Sequence, residues 1–113
     1  MSDEARTTHF FEDGIEVVLL AEGPRSRLEI SVDTGVHAGT DAVELEVLFQ
    51  PRDQHGLANG APAVLYASRW PITRLRPDGR ALADGWLPRA LEPGLARRCY
   101  YRVSPIIMDA PTN

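Results

Sequence analysis

Leu28-Glu29-Ile30-Ser31-Val32-Asp33 and Val43-Glu44-Leu45-Glu46-Val47-Leu48-Phe49-Gln50 alternate apolar and polar residues at a period of two, with Leu48 the one break. Successive side chains of a strand point to opposite faces, so each run predicts a half-buried strand of an antiparallel sheet. The linker 34–41 carries Gly35 and Gly39 and is expected to turn the chain between the two.

Outward from this pair, Ile15–Leu20 is almost continuously apolar and predicts a strand covered on both faces. It is bracketed by Asp13-Gly14 and Gly23-Pro24, both turn signals. Ala63–Trp70 predicts a further strand, ended by Pro71, and Ile72–Leu75 a short one before the turn Arg76-Pro77-Asp78-Gly79. The stretch from Ile72 to Arg98 is too rich in Pro and Asp-Gly pairs for a long helix, and a single helical turn near Pro88–Leu91 is expected. Cys99–Val103 predicts a last strand with Cys99, Tyr101 and Val103 on one face.

Short strands spaced by turns, without a convincing helix, argue for an all-β chain. The expected fold is a compact antiparallel β-sandwich, jelly-roll or Ig-like, or a small barrel with long turn-rich loops. The expected division is a flexible N-terminal arm over 1–9, one sandwich domain over 10–104 and a C-terminal tail over 105–113. The tail holds Ile106-Ile107-Met108, apolar enough to pack back on the domain or on a neighbour.

At 113 residues, with 43% hydrophobic and 25% charged residues, the chain suits one ordinary globular domain and excludes a disordered one. The acidic opening Met1–Arg6 does not read as a secretory signal, and a cytoplasmic protein is expected. Cys99 is the only cysteine, which excludes an intrachain disulfide and a cysteine-based zinc site.

Charge is unevenly distributed. The net charge is −4, yet residues 1–56 hold twelve acidic residues and four Arg, and residues 57–113 eight Arg and four acidic residues. The basic residues are all Arg. The polar face of the alternating strands carries Glu29, Asp33, Glu44 and Glu46. The second half interleaves Arg69, Arg74, Arg76, Arg98 and Arg102 with Trp70 and Tyr100. Carboxylates and arginines on adjacent strands can neutralise each other, or meet across an interface.

The sequence carries no nucleophile elbow and no phosphate-binding glycine loop, and its paired carboxylates Glu44 and Glu46 read as an exposed acidic face rather than a general acid/base pair, so catalysis and a cofactor are not expected. The expected role is binding or assembly: protein–protein contacts with a partner or a second copy, through Glu29, Glu44, Glu46, Arg69, Trp70, Arg74, Arg76, Arg98, Tyr100 and Arg102. Such a charged contact would weaken steeply with salt.

Two alternatives come from other classes. Thr34-Gly35-Val36-His37-Ala38-Gly39-Thr40 followed by Glu44 resembles part of the first metal-binding motif of cupins, without its second histidine. That resemblance implies a small metal-binding protein or enzyme using His37, Glu44 and His55. The Arg/aromatic interleaving is compatible with single-stranded nucleic-acid binding, although the overall negative charge opposes it.

Overall fold

The computed structural model describes residues 5–107. Eight strands form two antiparallel sheets: β1 (Ala5–Glu12), β2 (Ile15–Glu22), β3 (Arg25–Asp33), β4 (Ala42–Phe49), β5 (Ala63–Pro71), β6 (Arg74–Leu75), β7 (Arg80–Trp86) and β8 (Tyr100–Ile106). The one helix among the described residues is the single turn α1 (Pro93–Ala96). One sheet has the order β1-β2-β3-β7-β6 and the other β5-β4-β8. The all-β sandwich expectation therefore holds.

Two tight turns build the first sheet. Asp13 and Gly14 both have positive φ, 56° and 77°, as a two-residue I′ hairpin requires, and they join β1 to β2. Gly23, at φ 62°, then Pro24 follow the order of a II′ turn and pair Glu22 with Arg25. The two alternating strands, however, do not pair with one another. β3 lies between β2 and β7, whereas β4 lies between β5 and β8 in the opposite sheet, so 34–41 crosses the sandwich. Alternation reports one buried face per strand; it carries no information about the neighbour.

The core forms where these faces meet. Ile15, Val17, Leu19, Leu28, Ile30, Val32 and Ala83 from the first sheet pack with Val43, Leu45, Val47, Trp70, Tyr101 and Val103 from the second. Val18 and Leu20, on the opposite face of β2, are also buried, which explains the continuous apolar run. The segment after β7 closes one end with Leu87, Leu91 and Ala96. It is fastened by the buried Ser26 hydroxyl, which donates to the Leu91 carbonyl at 2.7 Å, and by Tyr101, which donates to Ala96 at 2.7 Å.

Four sequence expectations need adjustment. β1 begins at Ala5, inside the segment read as an arm, and residues 1–4 lie outside the described residues. β7 was not anticipated, because its Asp84-Gly85 reads as a turn; Gly85 instead sits in the strand opposite Leu28. The helical turn falls at Pro93–Ala96 rather than at Pro88–Leu91. The supposed tail is in part β8, which runs to Ile106; residues 108–113 lie outside the described residues.

β5 and β6 are nearly one strand that changes sheets. Ile72 N–H donates to Asp41 O, on the side of β4, and Thr73 N–H donates to Leu82 O of β7. The bend between them joins the two layers at one corner.

Candidate functional site

The outer face of the three-stranded sheet gathers four of the charged residues singled out in the sequence. Glu44 is the cross-strand partner of Arg69, and Glu46 faces both Ala67 and Arg102. The Arg69 guanidinium lies 2.8 Å from the Glu44 carboxylate, and that of Arg102 lies 2.7 Å from Glu46. With Ala67 and Ser104 these residues line a shallow groove of about 450 Å³. The acidic face and an arginine face are thus one surface, neutralised within one molecule. Both pairs are substantially exposed, so each contributes only about 0.2–1 kcal/mol.

The remaining sequence candidates are dispersed. Glu29 belongs to β3, across from Asp84 in the five-stranded sheet. There Arg27 donates to Asp84 at 2.6 Å and lies 3.5 Å from Glu22. Its hydrogen bond to Asp84, helped by the charges of Glu22 and Glu29, raises the guanidinium pKa against the opposing cost of burial. Arg74 and Arg76 sit at and just after β6, where Arg76 pairs with Asp78 at 3.0 Å. Trp70 is no platform for a ligand: it is buried between the sheets. Trp86 is the exposed tryptophan, with the Arg25 guanidinium 4.9 Å from its ring centroid.

The histidine set is not brought together. His37 lies in the loop before β4, its Nε2 hydrogen-bonded to the Asp13 carbonyl at 2.7 Å. His55 lies in the loop after β4, beside Gln54. The eight residues of β4 separate these loops by about 26 Å, at 3.2–3.4 Å per residue, and Glu44 is engaged by Arg69. Among the described residues no group of three or more His, Cys, Asp or Glu side chains could hold a metal ion.

Arg98 and Tyr100 fall at the end of the sheet, where they meet a residue that sequence reasoning did not select. The loop after β4 folds back on itself: Arg52 bridges Ala58, and the Asp53 carboxylate accepts from the amides of His55 and Leu57. This directs the Arg52 guanidinium to the Gly56 carbonyl at 2.9 Å and to the Tyr100 hydroxyl at 2.6 Å. Separated by 48 positions in the chain, Arg52 and Tyr100 gave no local signal of their contact.

The second feature of this sheet is its edge. Among the described residues β5 pairs with β4 alone. Ile72 bonds toward β4, so the alternation of antiparallel ladders turns residues 70, 68 and 66 toward β4 as well and Ala67 away from it. Pro71 falls on an outward position, where its missing N–H costs no ladder bond. Val64 and Leu65 are 52% and 42% exposed, at a β-bulge where Val47 pairs with Tyr66 and Leu48 with Val64, leaving Leu65 as the extra residue. No helix among the described residues is long and apolar enough to cross a membrane. The chain matches no protein-family model, no curated protein and no solved structure.

Proposed function

We propose that this chain is a non-enzymatic assembly domain that makes a protein–protein contact by adding a strand at β5, the partner being a second copy. The observation that carries the reading is the outward edge of β5, nine residues long and unpaired among the described residues, with Val64 and Leu65 exposed at its bulge. Natural proteins usually shield such an edge, because its unpaired amides and carbonyls template pairing with another chain.

A second copy fits this edge. Two β5 strands related by a twofold axis through Ala67 would exchange their outward N–H and C=O groups in an isologous pair. Arg69, the one charged residue of β5, would then lie across from Leu65 rather than from another arginine. The product is one six-stranded sheet, β8-β4-β5-β5-β4-β8.

The contact is apolar and backbone-mediated, while Glu44 and Glu46 already have their arginines in cis. Dimerisation should therefore persist at high salt, unlike a contact between opposed charged faces. Light scattering across a concentration series, in low and high salt, tests this. Ala67→Pro deletes an outward donor without touching the ladder to β4, and Val64→Lys charges the edge; each should give a folded monomer. A wild-type chain that stays monomeric into the millimolar range, or a dimer indifferent to both substitutions, refutes the reading.

A further inference from the structure

A groove of about 460 Å³ lies at the end of the three-stranded sheet, lined by Phe49, Gln50, Arg52, Arg98 and Tyr100. We propose that it is a binding site for a phosphate monoester carried on a flat ring, such as an aryl or nucleoside monophosphate.

The electrostatic part rests on donors without acceptors. Two guanidiniums and a phenol line the groove, and no carboxylate does. Arg98 makes no side-chain hydrogen bond or ion pair among the described residues. Arg52 is held by the Gly56 carbonyl and the Tyr100 oxygen, which leaves further N–H groups of its fork for a ligand. The Tyr100 oxygen accepts from Arg52 at 2.6 Å, so its own O–H is left to donate elsewhere. A phosphate monoester, with about −1.5 to −2 charges and three acceptor oxygens, can take one bond from each of the three groups.

The apolar part rests on Tyr100 and Phe49. Tyr100 is 48% exposed, while Phe49 is half-buried against the core. A flat ring can stack on an exposed aromatic face, and the volume lies within the range of small-ligand sites. This contrasts with the neighbouring outer face of the sheet, where each guanidinium is already matched by a carboxylate. None of the residues lining the groove belongs to β5.

Calorimetric titration in a phosphate-free buffer with phenyl phosphate, inorganic phosphate and benzoate tests the proposal. Phenyl phosphate should bind saturably and tightest, because inorganic phosphate lacks the ring and benzoate the second charge. Arg98→Gln and Tyr100→Phe should each weaken phenyl phosphate, by about tenfold for the charged donor. Arg89→Gln, an exposed change of equal charge away from the groove, should leave affinity unchanged. Thermal melts of the variants separate lost binding from lost fold. Failure of phenyl phosphate to saturate at millimolar concentration would overturn the proposal, as would equal binding by Arg98→Gln, an equal loss in Arg89→Gln, or benzoate matching phenyl phosphate.

Discussion

The benzo ring of Trp70 in β5 lies against the backbone of Gly85 in β7, across the gap between the sheets. A Cβ at residue 85 would stand 3.4 Å from Cη2 and 3.5 Å from Cζ2 and Cζ3. This glycine is not needed for its dihedral angles; it is needed for the space that lets a tryptophan close the sandwich beside the sheet-changing bend. A single methyl would touch the ring at ordinary contact distance, whereas a branched side chain would have to displace it. Gly85→Ala should therefore be near neutral. Gly85→Val should cost about 1–3 kcal/mol by overpacking. Urea unfolding followed by tryptophan fluorescence measures both.

Arg80 ties its strand to two other stretches of backbone, at Gly14 and at Ser31. Its Nε donates to the Ser31 hydroxyl at 3.0 Å, and one terminal nitrogen reaches the carbonyls of Gly14 at 3.0 Å and Ser31 at 3.2 Å. A lysine can place one ammonium but cannot reproduce the fork. Arg80→Lys should lose about 1–3 kcal/mol, with amide hydrogen exchange accelerating first in the β1–β2 turn.

Cys99 and Tyr101 set the alkaline limit of the fold. Burial pushes the Cys99 thiol up, against a smaller opposite pull from Arg98. Burial also raises the Tyr101 phenol well above its usual value, helped by the neighbouring Cys99. Both groups fold in their neutral form. Their contribution is complete below the unfolded values, about 8.5 for Cys and about 10 for Tyr, and is lost as pH climbs above them toward the higher folded values. The urea midpoint should stay level up to about pH 8 and fall beyond it. Tyr101→Phe should flatten the part of the fall above about pH 10. The same substitution should cost about 0.5–1.5 kcal/mol at neutral pH by removing a buried hydrogen bond to the Ala96 carbonyl, which keeps the Cys99 amide as a donor.

The Cys99 thiol is 5% exposed, so it should resist an alkylating reagent in the native state and react with one equivalent once unfolded. Rapid labelling of the native protein, followed by mass spectrometry, would contradict its placement in the core.

Reversing the pair Glu46–Arg102 should be tolerated when done on both sides. The single change Glu46→Arg should cost about 0.5–1 kcal/mol, and adding Arg102→Glu should recover most of it. A thermal-melt double-mutant cycle reads the coupling, which should shrink at high salt.

The legible parts of this chain were those written in neighbouring residues. Alternation over 28–33 and 43–50, the continuous run 15–20, and Cys99, Tyr101 and Val103 at a spacing of two each marked a buried face correctly. Asp13-Gly14 and Gly23-Pro24 marked real hairpin turns. β7 was hidden because its alanines and Asp84-Gly85 carry little strand signal; it is held as a strand by pairing with β3 and by Trp70 above Gly85. In the site, Glu44, Glu46, Arg69 and Arg102 were legible as charged residues on exposed faces, but Arg52 was not legible beside Tyr100.

By itself, then, the sequence determined which residues face inward, where the chain turns, and that the two halves carry opposite charge. These are local properties, because side-chain direction follows from the two-residue pleat and turn conformation from Gly and Pro. Only the tertiary structure decided that the two alternating strands lie in opposite sheets, and that Glu44 and Glu46 meet Arg69 and Arg102 within one molecule. The same holds for the edge of β5 left unpaired among the described residues. Strand order depends on which long connections cross between layers, and the spacing of side chains along one strand is the same whichever neighbour it takes.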